Sequence, residues 1–225
     1  MLEASSLSQV LKEMTHYKLD QLDLSETRWN GNGEFTTASG ELLLYSGRVM
    51  GEKHEYGVGL ILSKGLKKSL IEWIAVSVRL ITARLNTRLL KLMVVQCYAP
   101  TIEATSEEKE AFYGLLEATL HKIRQSNIII IMGDFNAKIR DDNQGLQHVM
   151  GRHDLGKRNE NGDIFIELCT NYDLIIGGSL FPHKDIHKAP WVVPNHRTFN
   201  QIDHMVICKN GRGHFLMSVA TGVRI

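Results

Sequence analysis

The stretch that decides the fold is residues 128–136, which read Ile-Ile-Ile-Ile-Met-Gly-Asp-Phe-Asn. The four isoleucines predict a strand that is buried on both faces, because β-branched side chains suit a pleated sheet and leave no solvent side here. The run ends at Gly133, and Asp134 and Asn136 follow two residues apart. In an extended chain these two side chains point to one face, and Phe135 turns back to pack. The pattern favours polar groups presented at the end of a rigid strand; an Asp/Asn turn that merely ends the strand is the alternative.

The composition indicates one intracellular globular domain. The chain has 225 residues, of which 43% are hydrophobic, and no apolar run approaches the roughly 20 residues that span a bilayer. The first residues lack a secretory signal. The three cysteines have no short spacing, which favours reduced thiols in the core. A net charge of +1 does not indicate a polyanionic partner, but a local basic strip is enough to bind one.

Hydrophobic periodicity predicts many strands, a few helices and long polar loops. Apolar residues at helical spacing predict a helix over residues 5–15, and Thr105 with Glu108 forms a capping box that opens a second helix. A third helix is predicted at 163–170 and a turn at 30–34. Besides the isoleucine strand, strands are predicted within residues 19–25, 42–45, 57–63, 76–85, 89–97, 173–177 and 202–208. Helices separate only some of the strands, so the pattern predicts an α+β sandwich of two sheets with helices outside.

Polar groups lie at the end of, or within, four of the predicted apolar strands. They are Glu26, Tyr98, Asp134 with Asn136, and Asp203. Carboxylate and carboxamide oxygens are the ligands that a hard divalent cation such as Mg²⁺ prefers, and such a cation offsets phosphate charge. Taken singly, each group is equally well a cap, a turn residue, a surface residue or a salt-bridged strand residue. The set of four favours a site at which the strand ends converge.

Five segments, in this order, resemble the motifs of the endonuclease/exonuclease/phosphatase superfamily. They are residues 24–29 (LSETRW), 96–101 (QCYAPT), 133–137 (GDFNA), 158–162 (RNENG) and 200–204 (NQIDH). The residues of these segments resemble more closely the endonuclease domain of RTE-type non-LTR retrotransposons and craniofacial development protein 2-like proteins. Residues 78–86 and 181–188 fit that subgroup, and the resemblance covers roughly residues 19–208.

The resemblance implies a four-layer α/β sandwich, in which two packed, mostly antiparallel sheets are flanked by helices. It implies cleavage of phosphodiester bonds in DNA that depends on Mg²⁺, or on Mn²⁺ in its place. Its residue roles are these: Glu26 and Asp134 hold the metal, Tyr98 contacts the scissile phosphate, Asp134 orients or deprotonates the attacking water, Asn136 holds phosphate or water, Asn161 (less favourably Asn159) contacts the phosphate, and Asp203 orients a catalytic histidine.

Loop side chains beside these motifs are expected to contact DNA. They are Arg28, Trp29, Asn159 and Trp191. Packing in the core is the alternative for the two tryptophans, and stacking on a base or wedging into a groove is the functional interpretation. The expected partner is DNA and not a membrane, and the expected location is nuclear.

Two motifs of the superfamily have no counterpart in this sequence. The family begins with a strand whose asparagine helps to build the metal site, but no asparagine precedes Glu26; it ends with Ser-Asp-His, a triplet missing from this chain. We therefore expect one domain over residues 1–225, truncated at both ends with its terminal strands missing. A non-catalytic DNA-binding or protein-interaction remnant of the fold stays open as an alternative. A phosphatase acting on a phosphoinositide or nucleotide is a further one.

Overall fold

The computed structural model describes residues 4–87, 91–123, 128–139, 143–151, 157–180, 191–192, 199–200 and 202–208. For residues 4–6, 191–192 and 199–200 the description covers the backbone alone. Contacts within the chain define two compact units, the first running to Tyr98 and the second starting at Ala99. The single domain expected from the sequence stays a prediction.

The first unit contains two antiparallel arrays of strands. Its elements are α1 (Ala4–His16), β1 (Gln21–Ser25), β2 (Asn32–Thr36), β3 (Leu42–Ser46), β4 (Val58–Leu62), α2 (Lys64–Lys67), β5 (Leu70–Ser77), β6 (Leu80–Asn86) and β7 (Lys91–Tyr98). The first array has the order β1-β4-β3-β2, and the second has the order β5-β6-β7. Helix α1 lies where the sequence predicted a helix.

Apolar side chains form two layers of core in this unit. Met14 of α1 packs with Leu43 and Ile61 on the outer face of the first array. On its inner face, Val58 of β4 packs against Ile81 of the second array. All five residues of β4 are buried, because the strand is covered on both sides. Each such aliphatic side chain stabilises the fold by about 1.5–3 kcal/mol.

Two predictions for this unit were wrong. The turn predicted at residues 30–34 is largely strand β2, which begins at Asn32 and tolerates its glycine because it is a mostly exposed edge strand. The single strand predicted at 76–85 is a hairpin: β5 ends at Ser77 and β6 starts at Leu80. Ile71 and Ile74 are exposed, so β5 lacks the alternation of buried apolar and exposed polar residues that indicates a strand.

The second unit combines one small antiparallel array with two helices. Its elements are α3 (Ser106–Lys122), β8 (Ile128–Asp134), α4 (Glu160–Asn171), β9 (Leu174–Ile176), a 3₁₀ turn (Gly177–Ser179), β10 (Trp191–Val192), β11 (Phe199–Asn200) and β12 (Asp203–Cys208). Strand β12 pairs antiparallel with both β8 and β9, and β10 pairs with β11. Within the described ranges, no helix of either unit has the length and apolar character needed to span a bilayer.

Local sequence signals account for the ends of these elements. The isoleucine strand is confirmed as β8, with three of its four isoleucines buried and Ile129 half-buried. The capping box is confirmed, since Thr105 Oγ1 accepts from the Glu108 N–H and Glu108 Oε2 accepts from the Thr105 N–H. Helix α4 begins at Glu160 rather than at 163, because Asn159 caps it.

Candidate active site

Glu26 and Tyr98 meet at the ends of two strands of the first unit. Glu26 directly follows β1, and Tyr98 is the last residue of β7. The Tyr98 hydroxyl donates a hydrogen bond of 2.6 Å to Glu26 Oε1. The side chain of Glu26 is 52% exposed, so its carboxylate is open to solvent while it holds the buried tyrosine. The fold thus joins a carboxylate and a phenol from two of the motifs.

The segment that carries Glu26 has an unusual backbone. Glu26 has φ +52° and Arg28 has φ +55°, the left-handed region that costs about 1–2 kcal/mol for residues other than glycine. The N–H groups of Thr27 and Arg28 donate to the carbonyls of Gly57 and Tyr56. A Cβ on Gly57 would lie 2.4 Å from Thr27 Oγ1, so only glycine allows this approach. The hydrogen bonds to Tyr56 and Gly57 therefore hold the strained turn that presents Glu26.

A cation covers the ring of Tyr98. The guanidinium of Arg79 lies 3.9 Å from the ring centroid of Tyr56 and 5.0 Å from that of Tyr98, and Nη1 donates to the Tyr98 carbonyl. Arg48 approaches the Tyr56 ring at 5.0 Å. Cation–π contacts of this kind contribute about 0.5–2 kcal/mol each. The contacts of Arg79 hold the ring and the backbone of Tyr98 in place.

A buried polar pair lies a few residues before Glu26 and Tyr98. Gln96 Nε2 donates to the Leu24 carbonyl over 3.4 Å, and the Gln96 side chain also hydrogen-bonds the Asp23 carboxyl. Burial raises the pKa of Asp23 above its ordinary value of 3.8, although hydrogen bonds from its own backbone and from Gln96 oppose this effect. Asp23 thus has the partner that a buried strand carboxyl needs.

Asp134 and Asn136 of the second unit form a turn. The strand ends at Asp134, Asn136 has φ +50°, and its N–H donates to Asp134 Oδ1 over 2.8 Å. The extended chain expected through Asn136 is therefore wrong, because this hydrogen bond closes a turn instead. Phe135 is fully buried against Phe165, with ring centroids 4.1 Å apart, so its inward packing is confirmed.

Asp134 and Asp203 face each other across neighbouring strands. They are register partners in the β8–β12 ladder, and the Phe135 N–H donates to the Ile202 carbonyl one residue further on. Because hydrogen-bonded and non-hydrogen-bonded pairs alternate, Asp134 and Asp203 form a non-hydrogen-bonded pair, whose side chains are the closer kind. Two like charges that lie directly opposite each other on paired strands repel and destabilise the pair, and a bound cation reduces this repulsion.

Asp203 is followed by a histidine that the fold buries. His204 is 2% exposed, its Nε2 lies 2.8 Å from the Ala137 carbonyl, and its ring stacks on Phe165. Since neighbouring residues of a strand point to opposite faces, His204 points away from the face of Asp203. The role assigned to Asp203, orienting a catalytic histidine, stays a prediction.

Three asparagines hold the Asp134 turn to the start of α4. Asn136 Nδ2 donates to the Ala99 carbonyl, while the Asn136 carbonyl accepts from Asn159 Nδ2 at 3.0 Å and Asn161 Nδ2 at 3.4 Å. Asn161 Nδ2 also donates to the Pro100 carbonyl. Asn161 is only 1% exposed, and its Oδ1 finds no partner within the described protein. The network fixes the turn, and the phosphate contacts assigned to Asn136, Asn159 and Asn161 stay predictions.

The side chains expected to contact DNA have different surroundings. Arg28 is 52% exposed and lies 3.5 Å from Glu26. Trp29 packs on the core beneath α1 and edge-on to Tyr45, with ring centroids 5.5 Å apart. Trp191 lies in β10, but its side chain falls outside the described residues. The contacts of Trp29 are those of a residue packed on the core. DNA binding by Arg28, Trp29, Asn159 and Trp191 stays a prediction.

The donor set suits a hard cation. Across the ranges that the structure describes, no group of three or more His, Cys, Asp or Glu side chains is arranged to hold a metal ion. Asp134 and Asp203 are nevertheless register partners, and carboxylates match the chemistry of Mg²⁺, which proteins often bind through one or two carboxylates together with substrate phosphates. An open two-carboxylate site therefore fits the residues present.

Sequence reasoning did not single out Arg79 or Gln96. Arg79 lies between β5 and β6, and its place in that turn brings it over the ring of Tyr98. Gln96 did carry a signal: it is the one polar residue in the apolar run Val94-Val95-Gln96-Cys97. A fully buried amide in such a run indicates a specific hydrogen-bond partner.

The chain is similar in sequence to curated proteins called craniofacial development protein 2. It is 32% identical to the Bos taurus protein and 31% identical to the Tragulus javanicus protein, in both cases over 203 residues and 90% of this chain. The chain spans about a third of the length of these relatives, at 33% and 34%. No protein-family model matches the sequence.

Solved structures share the fold at low sequence identity. The endonuclease domain of TRAS1, a telomere-specific non-LTR retrotransposon, has a TM-score of 0.59 at 13% identity, over 92% of this chain and 81% of that one. The 3′ phosphatase NExo from Neisseria, bound to a product DNA hairpin, gives 0.60 at 16%, over 92% and 82%. The AP endonuclease LMAP from Leishmania major gives 0.62 at 12%, over 91% and 74%.

These likenesses define the fold of the chain. The chain has the α/β sandwich fold of endonuclease/exonuclease/phosphatase proteins, with antiparallel strands in two sheets flanked by helices. The predicted fold class is confirmed. In sequence, the chain is similar to craniofacial development protein 2 over 203 residues, as the resemblance predicted.

Proposed function

We propose that this chain is a Mg²⁺-dependent DNA endonuclease domain, of the kind found in non-LTR retroelements, that hydrolyses phosphodiester bonds. The observation that carries the proposal is the 2.6 Å hydrogen bond from Tyr98 to Glu26. These residues lie 72 positions apart in the sequence, and the resemblance assigned both to the same reaction. Chance alone would not be expected to place two motif residues at hydrogen-bond distance from each other.

Each residue has a separate task in this reaction. Tyr98, held by Glu26 and Arg79, donates a hydrogen bond to a non-bridging oxygen of the scissile phosphate. Asp134 accepts a proton from the attacking water, whose oxygen bonds to phosphorus as the bond to the leaving oxygen breaks. The leaving oxygen takes up a proton from solvent.

Bound Mg²⁺ would supply charge neutralisation at the phosphate, and the metal-binding roles of Glu26 and of Asp134 stay predictions. The facing carboxylate of Asp203 adds negative charge beside Asp134, which strengthens the attraction for a cation. The exposed guanidinium of Arg28 contributes a phosphate contact that positions DNA. We propose nuclear localisation because the substrate is DNA.

The test is nicking of supercoiled plasmid in Mg²⁺ and in chelator. We expect nicking by the unmodified chain that stops in chelator and falls by at least about 10²-fold in Glu26→Gln and in Asp134→Asn. Glu13→Gln on α1 and Glu110→Gln on α3 are matched controls, because both replace exposed acids away from the motifs. Unchanged nicking rates in both Glu26→Gln and Asp134→Asn would contradict the proposal. DNA binding without nicking would identify the non-catalytic alternative instead.

A further inference from the structure

The amide of Gln96 lies between two strands that no ladder joins. β1 belongs to the first array of its unit and β7 to the second. Strand pairing within each array therefore does not determine where the end of β1 lies relative to the end of β7. Gln96 spans the gap, because its Nε2 donates to the carbonyl of Leu24 in β1 and its side chain also hydrogen-bonds Asp23.

The stability of the fold does not explain this amide. Gln96 is fully buried between apolar neighbours, and its Oε1 has no hydrogen-bond partner within the described protein. Asp23 Oδ1 and Ser25 Oγ are likewise buried without a partner there. Such unsatisfied groups cost free energy, which offsets part of what the hydrogen bonds of the amide contribute to stability. A polar residue retained at this cost calls for another reason.

That reason lies at the two strand ends. Gln96 precedes Tyr98 by two residues on the same face of β7, about 7 Å along the strand. The carbonyl that it binds, that of Leu24, precedes Glu26 by two residues. A displacement of one strand along the other would therefore separate the Tyr98 hydroxyl from Glu26 directly.

We propose that Gln96 is a positioning residue, whose bonds to Leu24 and Asp23 hold the ends of β1 and β7 at the offset that brings the Tyr98 hydroxyl to Glu26. The proposal rests on the proposed function for its catalytic consequence. Its structural claim, that the Glu26–Tyr98 contact depends on Gln96, is measurable without activity.

The direct test is Gln96→Leu, which keeps the bulk of the side chain and removes the amide. Thr82→Val is the matched control, since Thr82 is a buried polar residue on the neighbouring strand β6, opposite Val95. The structural readout is the ¹³Cζ resonance of Tyr98 in tyrosine-labelled protein, assigned with Tyr98→Phe. Glu26→Ala provides the reference position for a Tyr98 hydroxyl that has lost Glu26.

We expect the Tyr98 resonance in Gln96→Leu to move towards its position in Glu26→Ala, while Thr82→Val leaves it unmoved. We expect kcat for plasmid nicking to fall about 10- to 100-fold with KM within twofold, as for a misplaced reacting group. The urea midpoint should fall only modestly, because the Leu24 carbonyl and the Asp23 carboxyl lose a donor while the unpartnered Gln96 Oε1 is removed.

An unmoved Tyr98 resonance in Gln96→Leu would overturn the proposal. Failure of Gln96→Leu to fold would overturn it as well, since the amide would then serve stability rather than the contact. If the unmodified chain does not nick DNA, the proposed function fails separately, and the Tyr98 resonance still decides the positioning role.

Discussion

The Tyr98 hydroxyl donates to Glu26 Oε1 over 2.6 Å, which ties the end of β7 to the turn after β1. Tyr98→Phe removes this hydroxyl and keeps the ring under Arg79. We expect nicking to fall by about 10²–10³-fold, the usual effect of removing one preorganised donor. The measurement is the initial rate of plasmid nicking in Mg²⁺. Tyr45→Phe, a half-buried tyrosine on β3, is the control, and equal rates for both variants would contradict the role of Tyr98.

The opposed carboxylates of Asp134 and Asp203 predict a stabilising effect of Mg²⁺. A cation that binds the folded state raises the unfolding midpoint by mass action. We expect Mg²⁺ to raise the thermal midpoint of the unmodified chain and to have a much smaller effect on Asp203→Asn. Glu110→Gln on α3 should behave like the unmodified chain. A full Mg²⁺ response in Asp203→Asn would show that Asp203 takes no part in cation binding.

Asn159 should affect stability more than its motif position suggests. Its Oδ1 accepts from the N–H groups of Gly162 and Lys138, so Asn159→Ala should lower the free energy of unfolding by about 1 kcal/mol or more. Asn159→Asp keeps the cap and should recover most of this loss. Urea unfolding measures both. Unchanged stability together with weaker DNA binding in Asn159→Ala would instead favour a phosphate contact alone.

Asp23 should make stability depend on pH. Burial raises its pKa in the folded state, so the folded chain binds a proton more readily than the unfolded chain does. The free energy of unfolding therefore falls as pH rises from the ordinary pKa of 3.8 to the raised pKa of the folded chain, and it levels off above that value. Above that window Asp23→Asn should be more stable than the unmodified chain, with the difference vanishing at low pH. A constant difference across urea titrations at several pH values would contradict this account.

Local signals predicted the parts of the fold that depend on neighbours in sequence. The isoleucine run defined β8, and Thr105 with Glu108 defined the start of α3, because burial and capping act over a few residues. The turn at Asn136 was predicted only as the alternative, and one hydrogen bond to Asp134 outweighs strand alternation there. Motif resemblance indicated Glu26 and Tyr98 together, but no periodicity could show their contact across 72 positions.

The contacts that depend on the tertiary structure could not be predicted from the sequence. Arg79 looks like any strand-edge charge until the β5–β6 hairpin brings it over Tyr98. Asn161 has the sequence context of a phosphate ligand, yet it is buried and bonded to the Pro100 carbonyl. Such assignments need the partner as well as the residue, and the partner lies far away in the chain.

The central claim is that Glu26 and Tyr98 serve one phosphodiester cleavage together, and a double-mutant cycle tests it most directly. Nicking rates in Mg²⁺ would be compared for the unmodified chain, Glu26→Gln, Tyr98→Phe and the double variant. Groups that act together are strongly non-additive, so we predict that the double variant is no more than about tenfold slower than the slower single variant. Losses that multiply, or a single variant with full activity, would contradict the claim.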